Sequence, residues 1–199
     1  MIALIKCEDS SVNELSKVLN ELNVPFRVTS TEADICKSDK LILYGSGSAK
    51  QNIKQLHLLN LFSMLRMVKN PILGIGLGVE LMCEHTSGES LSCLGLFPLD
   101  SSKIEDGKVL VAHSGLKKVD IVKPGRLFEG ISTGTEFYFS ESYYLPENKF
   151  TTSIVTNGGT FSASVERENA FGVQFHPEKS GPVGAQVLSN FVRQAAGKG

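Results

Sequence analysis

The chain opens on a short apolar run, Met1 to Ile5, with the length and continuity of a buried strand, and turns polar at Lys6 and Glu8. Ser11 and Glu14 follow as an S-x-x-E capping box, so a helix is expected to begin there. Val12, Leu15, Val18, Leu19 and Leu22 recur every three or four residues and give that helix one apolar face to lay against a sheet. Asn23 and Pro25 stop it. Phe26 to Val28 and Leu41 to Tyr44 read as further strands, the second running into the glycine-rich turn Gly45 to Ser48, and a helical stretch spans Lys50 to Met67. Pro71 to Ile75 is the next strand, and the apolar residues from Val79 to Met82 suit a helix directly behind it.

Strand, turn and helix alternate in this way through the first half. Short connections of this kind predict a parallel sheet covered on both faces, with ligands bound beyond the carboxyl ends of the strands, where the turns at Gly45 and Gly76 fall. The second half changes character. Lys108 to His113, Glu136 to Phe139, Thr151 to Val155, Thr160 to Val165 and Gly172 to Phe175 are strand-like, with turn signals such as Asn157-Gly158-Gly159 between them. An antiparallel or mixed extension of the sheet is expected. From Val183, the residues Val187, Leu188, Phe191 and Val192 mark a closing amphipathic helix.

Composition narrows the partners more than the fold. At 199 residues and 41% hydrophobic, the chain has the means to bury one substantial core, and a single domain over residues 1–199 is expected. With 20 basic against 21 acidic residues the net charge is -1, which gives no electrostatic reason to expect nucleic acid or an anionic membrane. No apolar run approaches the roughly 20 residues of a membrane helix, and the early polar residues leave no signal-peptide core, so a cytoplasmic protein is expected. Cys7, Cys36, Cys83 and Cys93 lack the spacing of a zinc site or a disulfide framework and read as reduced thiols; no cofactor or metal is implied.

Three segments carry candidate chemistry, and each has a plain structural alternative. Gly74-Ile75-Gly76-Leu77-Gly78 sits at a strand-to-helix junction but lacks the full dinucleotide-binding spacing and a phosphate-binding lysine, so tight packing explains it equally well. In Gly172-Val-Gln-Phe-His-Pro-Glu-Lys-Ser180, His176 and Glu178 flank a stiffening proline, a spacing that lets a carboxylate orient an imidazole; a structural histidine would look the same. The glycines of Tyr44-Gly45-Ser46-Gly47 permit backbone N–H groups to face a ligand or a developing oxyanion, as would those of an ordinary loop.

Taken together and in this order, the segments resemble the class I glutamine amidotransferases, most closely the branch that serves as the glutaminase subunit of imidazole glycerol phosphate synthase. The resemblance runs from Met1 to about Val192. Its most specific piece is Gly172 to Ser180, supported by Ser142-Tyr143-Tyr144, Pro71 to Gly78 and Cys93-Leu-Gly-Leu96. It implies a flavodoxin-like α/β fold: a central, mostly parallel sheet with helices on both faces and an antiparallel extension. It also implies hydrolysis of glutamine through a cysteine thioester, with ammonia passed to a cyclase-type synthase subunit in a heterodimer. His176 and Glu178 match the base and its orienter. Gly45, Ser46, Gly47, Leu77, Glu80, Ser142 and Tyr143 match the substrate-binding positions, with Ser46 and Leu77 at those whose backbone N–H groups form the oxyanion hole.

The chain departs from the pattern where the chemistry is centred. The family's turn reads Gly-x-Cys-Leu-Gly-x-Gln; here Gly76 stands at the nucleophile and Glu80 at the glutamine. Glu141 and Tyr44 replace the usual His and Pro. Cys83 lies two helical turns beyond Gly76, about 10 Å along a helix axis, too far to replace the nucleophile. An amidotransferase domain without glutaminase activity is therefore expected, from natural divergence in preference to engineering. The alternatives are a non-catalytic binding module for a cyclase-like or sugar-modifying synthase, and a remnant pocket in which Glu80 reads a cationic group.

Overall fold

The continuous apolar runs become the centre of a thirteen-stranded sheet. A computed structural model describes residues 1–6, 12–86, 91–103, 115–140, 142–156 and 159–194. Its first half contains β1 (Ile2–Lys6), α1 (Asn13–Glu21), β2 (Phe26–Thr29), α2 (Glu32–Cys36), β3 (Lys40–Gly45), α3 (Ala49–Leu58), α4 (Leu61–Arg66), β4 (Ile72–Gly76) and α5 (Leu77–Leu81). The second half adds β5 (His85–Thr86), β6 (Leu91–Ser92), β7 (Asp100–Lys103), β8 (Gly115–Ile121), β9 (Thr135–Phe139), β10 (Tyr143–Pro146), β11 (Thr151–Thr156), β12 (Thr160–Arg167), β13 (Ala170–Val173) and α6 (Gly181–Val192).

β2, β1, β3, β4 and β13 lie side by side, every neighbour parallel. Side chains alternate across this sheet, as strand geometry requires. Ala3, Ile5, Leu41, Leu43 and Ile72 pack beneath α3, α4 and α5, whereas Ile2, Leu4, Ile42, Leu73 and Ile75 face α1 and α6. Both faces of β1, β3, β4 and β13 are covered, so these four strands carry little polar alternation and read as apolar runs, whereas β2 at the edge is largely exposed. From β13 onward the order continues through β12 and β10, both antiparallel to their neighbours, with β11, β8 and β9 as a side branch. The parallel centre and antiparallel extension match the expected α/β architecture.

Several boundaries differ from the sequence expectation. The helix expected from Lys50 to Met67 is broken into α3 and α4 at Asn60, which takes φ +58. Asparagine tolerates the left-handed conformation, and the break lets Leu61, Phe62 and Leu65 turn into the core. α1 starts at Asn13 after Val12, with no side-chain cap on Val12; Ser11 lies outside the described residues, as do Cys7, Glu141 and the strand expected at 108–113. α5 starts at Leu77, directly after β4, without an intervening loop.

That abrupt turn depends on three glycines. A Cβ on Gly78 would stand 2.0 Å from the Leu43 carbonyl oxygen, one on Gly74 2.7 Å from Val79 Cα, and one on Gly172 2.2 Å from Val79 Cγ2. α5 is thereby drawn against β3, β4 and β13 more closely than any side chain would allow. Among the described residues no helix is long and apolar enough to cross a membrane.

Candidate active site

Beyond the carboxyl ends of β3 and β4 opens a cleft of about 1020 Å³. Gly45, Ser46, Gly47, Leu77, Glu80, Ser142, Tyr143 and His176 line it, so residues from four separated segments meet on one hollow. Asn13, Glu14, Tyr44, Ser48, Ala49, Lys103, Ser140 and Lys179 complete its wall. Gly76 precedes Leu77 as the last residue of β4, and the Glu178 side chain is fully buried behind His176.

Gly76 takes φ +56 and ψ -120. Only glycine occupies this region without strain, and a strand-to-helix turn holding its central residue there is the geometry that projects a nucleophile into a site. The backbone of such an elbow is present and its side chain is not. Cys83 does not supply the missing thiol. It is fully buried, its Sγ donates to the Val79 carbonyl at 3.4 Å, and burial, reinforced by Cys93, Glu80 and Asp100, pushes its pKa well above the ordinary thiol value. A neutral, enclosed thiol is a poor nucleophile.

The loop at the end of β3 is held by Asn52 of α3. Its Nδ2 donates to the Ser46 carbonyl at 2.9 Å and to the Ser48 carbonyl at 2.7 Å. Gly47, at φ +80, lets the loop turn between those two anchors. Ser48 N-caps α3 through a longer bond of 3.5 Å from the Gln51 N–H.

His176 is fixed on every side. Its N–H donates to the Tyr138 carbonyl of β9 at 2.8 Å, and its carbonyl accepts from the Ser180 hydroxyl at 2.7 Å, which in turn accepts from the Tyr138 N–H at 3.0 Å. Pro177 opens a short 3-10 turn, Pro177–Lys179, that swings Glu178 back beneath the imidazole. Nδ1 of His176 and Oε1 of Glu178 are 2.8 Å apart, so with Nδ1 donating, Nε2 is the nitrogen that keeps a lone pair. Buried Gln174 adds a tie to the next segment, accepting from the Leu145 N–H at 3.0 Å and donating to the Tyr143 carbonyl at 3.2 Å. The stretch from Gly172 to Ser180 thus orders both the histidine and the strand that carries Tyr143.

Glu80 is 5% exposed on the inner turn of α5, and the Ser101 hydroxyl donates to its Oε1 at 3.4 Å. Ser101 and Lys103 belong to β7, which the sequence reading did not find, because Asp100-Ser-Ser-Lys103 has no apolar residue to announce a strand. A second contact also escaped it: the Tyr44 hydroxyl donates to Glu178 Oε1 at 2.9 Å across 134 positions of chain. Among the described residues there is no group of three or more His, Cys, Asp or Glu side chains able to hold a metal ion.

A strand-to-helix elbow, a carboxylate-oriented histidine and a glycine-rich loop around one cleft define an α/β domain of the kind that performs acyl transfer from a nucleophile elbow. The class-I glutamine amidotransferase family model matches residues 3–195, and the chain belongs to that family. It is similar to "Imidazole glycerol phosphate synthase subunit HisH" of Buchnera aphidicola, 32% identical over 192 residues covering 96% of this chain and 98% of the relative. The protein of the same name from Salmonella typhimurium is 40% identical over 169 residues, 83% of this chain and 85% of the relative. Among solved structures, a glutamine amidotransferase superposes with a TM-score of 0.76 at 13% identity over 96% of this chain and 97% of the other. PurLQS from Thermotoga maritima gives 0.64 at 14% identity over 96% and 97%. These two likenesses concern the fold alone.

Proposed function

We propose that this chain is the amidotransferase-type subunit of an imidazole glycerol phosphate synthase, docked on a cyclase-type subunit, and that it does not hydrolyse glutamine. The relatives' names support the first part. The observation that carries the second is Gly76: the elbow keeps its backbone conformation and offers no side chain.

The reaction this site would otherwise perform is glutamine plus water giving glutamate plus ammonia. It needs a thiolate to attack the side-chain amide, a base that takes the thiol proton and returns it to the departing ammonia, and N–H donors for the oxyanion. His176, oriented by Glu178, fits the proton-transfer role, and Ser46 and Leu77, which line the cleft, are the residues whose backbone N–H groups would serve as the donors. Without a nucleophile no thioester forms, and the remaining groups can only bind and polarise the amide. Loss of the nucleophile in such a unit lowers turnover by a factor on the order of 10⁶. Glu80 opposes the reaction further, since a carboxylate facing the cleft favours a cationic group over a carboxylate or a neutral amide.

The test is glutamate release by the purified protein, alone and with a cyclase subunit, beside Gly76→Cys and Gly76→Cys/Glu80→Gln. The expected result is silence from the unsubstituted protein, a gain of at least about 10³-fold in Gly76→Cys, and a further gain in the double variant. Turnover by the unsubstituted protein overturns the proposal of silence. Failure to bind any cyclase subunit overturns the proposed assembly.

A further inference from the structure

Glu178 carries more than His176. Its Oε1 accepts from the imidazole at 2.8 Å and from the Tyr44 hydroxyl at 2.9 Å, while its Oε2, equally buried, has no hydrogen-bond partner among the described residues. Two donors therefore share one oxygen of a carboxylate whose side chain is fully buried. Tyr44 also sets its ring edge-on to the imidazole, centroids 6.3 Å apart at 73°. The tyrosine is delivered by a stiff element: it lies at the end of β3, in register with Lys6 of β1 and Ile75 of β4, and is 6% exposed.

We propose that Tyr44 is a positioning residue that clamps Glu178 through the oxygen His176 uses, weakening the carboxylate's hold on the imidazolium and keeping His176 neutral to lower pH than a bare His-Glu pair would. A hydrogen bond donated to a carboxylate draws negative charge from the accepting oxygen, and that charge is what stabilises the protonated imidazole beside it. Because Oε2 takes no compensating donor among the described residues, the two bonds on Oε1 compete directly. The effect is a property of the resting protein and is independent of whether the cleft turns over glutamine.

Tyr44→Phe leaves in place the other titratable groups that surround His176 among the described residues. They are Tyr138 of β9, whose ring lies edge-on at 6.5 Å, and Lys179, which is 3.8 Å from Glu14 of α1. Across the cleft stand Glu80 of α5, Lys103 of β7 and Tyr143 of β10.

The experiment is an NMR titration of the imidazoles in the full-length protein, with His57, His85 and His113 as internal controls. Tyr44→Phe retains the ring and is expected to raise the His176 midpoint by about one pH unit while the other three stay in place. In a Glu178→Gln background the same substitution is expected to leave that midpoint where it was, since the path runs through the carboxylate. Tyr138→Phe, which removes a hydroxyl from the other ring touching His176, is expected to do nothing. An unchanged or lowered midpoint in Tyr44→Phe, or an equal rise in both backgrounds, overturns the proposal. A substitution-free check is uniform 3-fluorotyrosine labelling of the four tyrosines, which makes the phenol a stronger donor. It is expected to lower the His176 midpoint, and a rise or no change counts against the clamp.

Discussion

The two walls of the cleft differ in what they have kept. On the wall built by β13 and the turn after it, both side chains of a base pair are present and locked, down to the Ser180 hydroxyl that ties His176 to β9. On the wall built by β4 and α5, the backbone of the elbow is intact, with Gly76 at φ +56 and α5 pressed against Leu43, yet the side chain at its apex is absent and a carboxylate occupies the next turn. The frame of the elbow is a packing requirement of the sheet; the nucleophile is not. A chain can therefore lose the second and keep the first, and substitutions at neighbouring glycines should separate the two.

The largest effect is expected where the frame is tightest. In Gly78→Ala the new methyl would stand 2.0 Å from a main-chain oxygen that cannot swing aside, so α5 must be pushed off β3. A loss above about 4 kcal/mol is expected, beyond the usual cost of overpacking because the clash is with main chain on both sides. In a chain of this size it appears as a fall of roughly 10 °C or more in the thermal midpoint. A midpoint within a degree of the parent would mean that α5 is not held by this contact, and the distinction between frame and nucleophile would collapse.

At Gly76 the cost comes from backbone strain. Gly76→Ala places a Cβ on a residue at φ +56 and ψ -120, worth about 1 to 3 kcal/mol, so its midpoint should fall between those of Gly78→Ala and the parent. The same cost attaches to Gly76→Cys, which means a restored glutaminase is expected to be less stable than the silent protein. Equal stability of Gly76→Ala and the parent in urea denaturation would show that the elbow relaxes when a side chain is added.

How much of this was readable beforehand follows from what each element buries. Leu41, Ile42 and Leu43 are fully enclosed, so β3 announces itself as an apolar run, and the same holds for β1 and β4. β8, Gly-Leu-Lys-Lys-Val-Asp-Ile, buries only Val119 and hides among polar residues. β7 has no apolar residue, and with it Ser101 and Lys103 were invisible as neighbours of Glu80. The break at Asn60 was concealed because the apolar residues on either side keep a helical spacing. Within the site, His176 and Glu178 are two residues apart and legible as a pair. Tyr44 stands out in the sequence only as the residue that replaces the family's usual Pro, since a contact across 134 positions has no local signal.

The smallest effect is expected on the loop that joins the two walls. Ser48 caps α3 through a bond of 3.5 Å, at the limit of a useful hydrogen bond, while Asn52 grips the carbonyls of Ser46 and Ser48 at 2.9 and 2.7 Å from a fully buried position. Ser48→Ala is therefore expected to cost at most about 0.5 kcal/mol, the low end for a lost cap. Asn52→Ala, which removes the side-chain donor from both carbonyls and leaves the Ser48 carbonyl its bond from the residue-52 N–H at 3.2 Å, is expected to cost about 2 kcal/mol. Amide exchange at residues 45–48 reads the difference locally, with faster exchange in Asn52→Ala and parental rates in Ser48→Ala. If the order is reversed, the Ser48 cap and not Asn52 shapes the loop that leaves β3 beside Gly76.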